Sequence, residues 1–509
     1  MSKFFKSDGF VISIIAVIFT YFAWIFFLTQ GLLSVDTGRE FYIPQQMLNG
    51  EVLYKDIYNI YGALSYQINT ILFTIFGTKI STLYSAGIFN SFVIIITLYF
   101  LGREFMKKSL SFMVSMVIMF SLVFHPFLYN SNLPYAYAIS YALSSFSLSV
   151  LFLIKYIKTE DNKMAYLSCL FCGISIANKY EFTLLPFILV YVLGFLKPIG
   201  IKNGLKAFGC FIAIPVISYS ALIIQGLNFT DIKETITLFK NLINAPLLKL
   251  FFEKFGVFFN AKAILNLVLS NKTIAIFGFL PIINTLALAM FFKKIFEDKA
   301  LFVLILCAIT ACAKTFFFLN IMHMGAFMLP IILLSSVVLL DKALKQKALI
   351  NMFLIAYIFI FAVTDIAYTA KDKTGELNTP KGTIRKIYPK DEKLNKTAID
   401  FVLKNTNPTD KVVVMPEGTF INFATDRKGD NFYYNLSPLF YNDVFGEERV
   451  INHFNENMPE YFIIVPIDHI EYGSSYFGKD YAQNFYEMIV NNYELVEEKN
   501  DIKFFRKKI

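Results

Sequence analysis

Uncharged apolar runs of about 20 residues alternate along this chain with short clusters of Lys and Arg. About 20 apolar residues in helical rise cross a hydrocarbon core, and a helix satisfies its own backbone groups there, so the pattern confines the chain to a polytopic α-helical membrane protein. The first run, 10–28, follows Lys3 and Lys6 and has no small-residue cleavage site after it. It reads as an uncleaved anchor with its N-terminus in the cytoplasm. A mean hydropathy of +0.55 and 58 Phe against 17% charged residues are far from soluble-protein composition.

The same alternation predicts further spans at 80–101, 110–128, 135–154, 164–177, 182–196, 207–225, 273–292, 300–319, 325–340 and 348–367, about eleven in all. Lys107, Lys155, Lys202, Lys293 and Lys345 then fall on the cytoplasmic side. Segment 63–77 carries Gln67 and Asn69 among apolar residues and suits a helix along the interface. Segment 226–272 is amphipathic and is expected on the outer surface. The net charge of +9 is dispersed among these topology signals, which excludes a nucleic-acid surface as its explanation. The five cysteines all lie in or beside apolar runs, so neither a disulfide framework nor a redox role for Cys169 and Cys172 is expected.

At about Tyr368 the chain becomes charged and turn-rich. Helical spacing over 391–405 and buried-strand patterns at 412–415 and 461–465 predict a soluble α/β domain over 368–509, outside the membrane domain of 1–367. It carries no GxGxxG or phosphate loop. No internal repeat of the kind that builds many transporters is present.

Between the first run and the second lies a long polar interruption, the outer loop 30–79, which contains VDTGREFYIPQQMLNGEVLYKDIYNIYG from Val35 to Gly62. Its order of Asp36, Arg39, Met47-Leu48-Asn49-Gly50 and Leu53-Tyr54-Lys55-Asp56 resembles the first outer loop of the GT-C membrane glycosyltransferases, which include protein mannosyltransferases and aminoarabinose transferases. Two positions depart from the family pattern. Thr37 stands where an acidic residue frequently follows the Asp, and Tyr61-Gly62-Ala63 stands for a common Lys-Pro-Pro. The resemblance implies an integral-membrane enzyme that uses polyprenyl-phosphate sugars, with Asp36 as general base. Its partners would be the lipid-linked sugar donor, an envelope acceptor (glycan, lipid or protein) and the bilayer of a bacterial inner membrane. The C-terminal domain would be periplasmic and would cap the site or hold the acceptor.

A lipid-phosphate sugar carries an activated leaving group, so transfer needs a base, cations for the phosphate and a site that orients both reactants. Asp36 fits the base, or else starts a juxtamembrane helix as its acidic end. Glu40 fits a second catalytic carboxylate and equally a capping box with Thr37. Arg39 fits a phosphate ligand, or a snorkelling arginine. Lys179, in GISIANKYEFTLLP, resembles a family lysine and fits phosphate binding, with a local ion pair to Glu181 as the alternative. His323, in IMHMGAFMLP, occupies a position before a late span where the family often carries His, and Tyr54 and Asp56 are further candidate substrate contacts. No cluster with metal-ligand spacing exists, so no metal ligand is assigned and a divalent cation stays open. The rivals from other classes are a non-catalytic transporter or flippase of lipid-linked sugars, and a membrane-anchored receptor acting through its outer domain.

Overall fold

The structure is a computed structural model that describes residues 7–29, 33, 36–124, 130–254, 284–311, 326–343, 355, 371, 374–474 and 476–508. Helix α1 (Asp8–Phe26) starts where the Ser7 hydroxyl accepts the Phe10 N–H at 3.2 Å. It is followed by α2 (Asp36–Leu48), α3 (Leu64–Phe76), α4 (Ile80–Arg103) and α5 (Lys108–Ile118), the last extended by a π-turn over Met119–Val123. Next come α6 (Tyr137–Thr159), α7 (Asn162–Asn178), α8 (Leu185–Tyr191, continued to Leu196 as a π-turn) and α9 (Ile201–Ile224). Four of these, α1, α4, α6 and α9, are long and apolar enough to cross a membrane. Of the remaining expected spans, 325–340 is met by the 18-residue helix Ala326–Ala343, and the others are shorter than this in the described residues or lie outside them, as all but one residue of 348–367 does.

Helix α6 is the central one: 89% of its apolar window is buried, against 17% for α9, whose Ile217, Ile223 and Ile224 face outward. Close approach among α6, α7 and α9 rests on small residues, which in lipid replace the missing hydrophobic drive with contact. Ser149 and Ser168 each donate to the other's carbonyl, at 2.7 and 2.8 Å. A Cβ on Gly173 would sit 2.0 Å from the Phe211 carbonyl oxygen. The basic residues gather at one end of the bundle, in pairs such as Arg103 with Asp8 (3.0 Å) and Lys158 with Glu104 (3.1 Å). The loop after α1, the start of α6 and the end of α7 are at the other end.

The amphipathic segment forms α10 (Phe229–Asn244) and α11 (Pro246–Lys254), the first opened by a capping box in which Asn228 and Asp231 satisfy each other's backbone donors. After it come α12 (Phe292–Glu297), α13 (Lys299–Ala311) and α14 (Ala326–Ala343).

The C-terminal part begins with a hairpin, β1 (Gly375–Thr379) and β2 (Gly382–Ile387), and α15 (Pro389–Asn405). A four-stranded sheet follows in the order β3 (Val412–Met415), β4 (Tyr461–Ile464), β6 (Ile502–Lys507), β5 (Tyr493–Lys499). Strands β3 and β4 are parallel and every residue in them is buried, as a covered parallel pair requires. Helices α16 (Thr419–Thr425), α17 (Glu447–Glu456) and α18 (Gln483–Asn492) complete the layers. The antiparallel β5–β6 pair went unread in the sequence because β5 is an edge strand with one buried residue, Tyr493, and six that are not.

This domain shares a core with the membrane half. Leu33, Phe41, Phe73 and Ile80 pack in one cluster with Leu377, Ile399, Phe420 and Phe423, and the Phe41 ring lies 5.0 Å from Phe423. A Cβ on Gly38 would meet the Phe420 backbone nitrogen at 2.8 Å, so α2 and α16 touch through a glycine. Tyr42 is 1% exposed; its hydroxyl donates to Asn431 Oδ1 (2.6 Å) and accepts the Gly429 N–H (2.9 Å). On the other flank Asn241 donates to the Val444 carbonyl, and the Leu247 N–H donates to Asp443. Tyr42→Phe would remove both of its bonds at a buried junction, and should cost about 1–3 kcal/mol. Thermal unfolding of the purified protein measures this; an unchanged midpoint would show the junction to be held by apolar packing alone.

Candidate active site

The loop between α2 and α3 is drawn onto the end of α7. The Gly62 N–H donates to the Asn178 carbonyl at 3.1 Å, and a Cβ at Gly62 would fall 2.0 Å from the Ala177 carbonyl oxygen. Only glycine lets the two backbones lie this close, and the contact sets Tyr61 beside Lys179. The Lys179 ammonium sits 3.9 Å from the Tyr61 ring centroid, and the Arg39 guanidinium lies 5.0 Å from the same ring. Tyr61 thus gathers two cations through its π-face.

Arg39 is 7% exposed and surrounded by partners: Asp36 at 3.2 Å, Glu40 at 3.4 Å and the Tyr135 carbonyl at 3.2 Å. Helix α2 begins at Asp36, so Thr37 lies inside it and does not serve as its cap. Glu40 is fully buried and accepts from the Tyr66 hydroxyl (2.9 Å) and the Tyr137 N–H (2.8 Å). Burial pushes the Glu40 carboxyl upward, and Arg39 and these two donors oppose the shift. Lys179, 5% exposed, makes the local ion pair to Glu181 at 3.3 Å. Burial lowers its ammonium; Glu181 works against this and Arg39 adds to it.

Asp36, Arg39, Glu40 and Lys179 are therefore brought together. Tyr54 stands behind them: its hydroxyl donates to the Tyr61 carbonyl at 2.5 Å, and its ring stacks on Tyr219. Asp56 is apart from the group; its carboxylate accepts the Val52 N–H at 2.8 Å and closes the turn that carries Tyr54. His323 lies outside the described residues. Among the described residues no three His, Cys, Asp or Glu side chains form a group able to hold a metal ion.

The C-terminal domain adds side chains that sequence reasoning missed. The Val465 N–H donates to the Met415 carbonyl, carrying the β3–β4 pairing past the strand ends, and the Leu436 N–H donates to the Pro416 carbonyl. These bonds set the loops of Glu417, Tyr434 and His469 side by side at the carboxyl ends of the two parallel strands. Glu417 is 6% exposed, and burial pushes it up to about 8, helped by the charge of Asp36 and opposed by Arg39. Tyr434 feels Arg39, Tyr61, Glu40 and Asp36. The signal that would have found them is the rule that ligands in α/β sheets bind beyond the carboxyl ends of the strands, applied to 412–415 and 461–465.

A carboxyl that keeps its proton in the folded state, at a pH where the unfolded chain has lost it, gives a stability contribution with a definite sign. That contribution is full below the unfolded carboxyl pKa of about 4.3 and is lost as pH rises through the folded value. The thermal midpoint should therefore carry a component that falls between about pH 5 and pH 8. Glu417→Gln should flatten it; equal pH slopes in the two proteins would show that Glu417 ionises normally.

No family model and no curated protein sequence matches the chain. Solved structures do. Over 98% of its length and 98% of the other chain it superposes on ArnT from Cupriavidus metallidurans bound to undecaprenyl phosphate, with a TM-score of 0.57 and 12% identity. The apo state of that protein gives 0.56 at 14% identity, covering 98% and 97% of the two chains. The oligosaccharyltransferase of Archaeoglobus fulgidus in the apo form gives 0.53 at 14% identity, over 90% of this chain and 69% of that one. The polypeptide thus has the GT-C fold of these membrane glycosyltransferases, with a C-terminal sheet domain set on its helical part.

Proposed function

We propose that the chain is a glycosyltransferase of the bacterial inner membrane that moves a sugar from a polyprenyl-phosphate donor to a cell-envelope acceptor on the outer face. The observation that carries this reading is the meeting of two buried cations, Arg39 and Lys179, on one tyrosine ring beside Asp36. Buried cations held at the edge of an apolar bundle suit a lipid-borne phosphate, whose charge would offset their desolvation. The fold supports the reading, since one solved neighbour holds undecaprenyl phosphate and an archaeal oligosaccharyltransferase was solved in complex with an inhibitory peptide and a dolichol-phosphate.

In this scheme the acceptor oxygen bonds to the anomeric carbon as the bond from that carbon to the phosphate oxygen breaks. Asp36 takes the acceptor's proton, and Arg39 and Lys179 hold the departing phosphate. Glu40, bonded on both oxygens, keeps Arg39 and the start of α6 in place. About eleven spans with a cytoplasmic N-terminus would put Arg39, Lys179, His323 and the C-terminal domain outside. The gathering of Lys158, Lys197 and Arg103 at the opposite end of the bundle supports that orientation.

Turnover of lipid-linked sugar by the purified protein separates this reading from a transporter or flippase, which would move the donor without consuming it. Asp36→Asn preserves size and helix-starting capacity but accepts no proton, so turnover should fall roughly 10²- to 10⁴-fold with donor binding retained. A variant transferring at the wild-type rate would remove Asp36 from the chemistry. Lys179→Ala should weaken donor use by about 10- to 100-fold, the scale of one charge-assisted bond, through donor KM, kcat or both. Unchanged donor kinetics would leave Lys179 with its ion pair to Glu181 and nothing more.

A further inference from the structure

Helix α10 (Phe229–Asn244) is divided lengthwise between a face bound to the C-terminal domain and a face that is apolar and exposed. On the bound face Leu238 and Leu242 join a buried cluster with Tyr58, Val444 and Phe445. Asn241 donates to the Val444 carbonyl at 3.1 Å, and Glu234 pairs with Arg449 of α17. On the other face Phe229, Ile232, Ile236, Phe239 and Ile243 are all exposed, Phe229 by 81%. They follow one another at steps of three, four, three and four residues, which stacks them in one line along the helix. A contiguous apolar patch of this kind marks an interaction surface.

The neighbours of the line indicate what covers it. Helix α9, long and apolar enough to cross a membrane, ends at Ile224, and only 225–228 separate it from Phe229. Ile223 and Ile224 are exposed, the latter by 85%, so the outward apolar surface of α9 leads directly into the line on α10. This end of α9 stands at the level of the candidate site: Gln67 of α3 donates to the Ser218 carbonyl at 2.9 Å, and Tyr219 stacks on Tyr54. One border of the line is held to the bundle, where the Thr235 hydroxyl donates to the Tyr54 carbonyl at 3.4 Å. Along the other border run Lys233 and Lys240, seven residues apart and exposed, and beyond them Thr230, Thr237 and Asn244, also exposed. Going round the helix, the order is hydrocarbon, cation, small polar group. A helix half sunk in a bilayer meets acyl chains, phosphates and water in that same order, with lysine stems reaching up to the phosphates.

We propose that α10 lies in the plane of the bilayer, its apolar line sunk in the phospholipid leaflet on the site's side, and that the C-terminal domain rides on its opposite face. That leaflet is the outer one in the orientation proposed above. The partner is thus the headgroup and upper acyl region of the membrane, entered to a depth of about 5–10 Å. The Glu234 pair with Arg449 lies across the helix from Ile236, so α17 stands on the water side. Through Thr235 the same helix fixes the height of the Tyr54 loop, and with it Tyr61. None of this depends on which reaction the site performs.

The test uses the full chain in nanodiscs of phosphatidylcholine and phosphatidylglycerol, spin-labelled at one introduced cysteine at a time, with wild-type protein treated identically as the blank for native cysteines. Relaxation by oxygen, which concentrates in hydrocarbon, is compared with relaxation by a water-soluble nickel chelate. Ile232→Cys, Ile236→Cys and Ile243→Cys should respond mainly to oxygen. Thr230→Cys, Thr237→Cys and Asn452→Cys on α17 should respond mainly to nickel. All six positions are exposed, so labelling leaves the buried core intact. The expected signature is a reversal of preference between adjacent residues, Ile236 and Thr237. Nickel dominance at the three isoleucine positions would put the line in water and overturn the proposal. Exclusion of both reagents there would show it covered by protein, another segment or a second copy, and would overturn it equally. Oxygen dominance at Asn452 would overturn the placement of the domain on the water side. A protein inactive in sugar transfer would give the same relaxation pattern, so failure of that reading and failure of this one are told apart.

Discussion

A guanidinium that is 7% exposed at the boundary of an apolar bundle dictates much of what surrounds it. Burying a charge is costly unless partners are fixed in place, and losing one partner of a buried pair costs more than the pair contributes. Arg39 draws its four partners from three pieces of chain: Asp36 and Glu40 on its own helix, the Tyr135 carbonyl before α6, and the Tyr61 ring before α3. Glu40 repeats the arrangement one residue on, binding Tyr66 of α3 and the first N–H of α6. The polar loop after the first helix is held by this requirement, and the C-terminal domain packs upon it.

That packing explains why the C-terminal domain shares its core with the membrane half. Phe41, Tyr42 and Gln45 point from α2 into α16 and the loop after it, while Arg39 and Glu40 point toward the bundle. Thirteen residues of helix therefore carry two functions on two faces, which is why nearly all of them are buried.

Much of this was legible in the sequence, for physical reasons that also mark the limit. Long apolar runs report helices because hydrocarbon tolerates little else, so α1, α4, α6 and α9 lie close to their expected positions, and α3 is the expected helix between the first two. The loop motif brought Asp36 and Arg39 to attention and the run GISIANKYEFTLLP brought Lys179, and the structure brings them together. Glu417, Tyr434 and His469 were out of reach because each lies more than 370 residues from Asp36 in sequence, and Glu417 and Tyr434 come into its field only through the docking of two domains. In the sequence Tyr61 is only a departure from a common Lys-Pro-Pro; its place between two cations depends on Gly62 meeting the end of α7, a contact that leaves no local pattern. The sheet was half legible, since β3 and β4 are apolar throughout, while β5 shows its charged residues to solvent.

The glycine at position 62 has a consequence for how such a protein changes over generations. The residues that gather charge sit on helices locked by backbone-to-backbone contact at Gly62, and almost any replacement there would separate Tyr61 from Lys179. Glu417 and His469 sit on loops beyond two strands whose own pairing is complete without them. The charged half of the candidate site is thus fixed by backbone contact, while the side chains that the C-terminal domain brings toward it are carried by loops, so a substitution at Gly62 would disturb the first without touching the second.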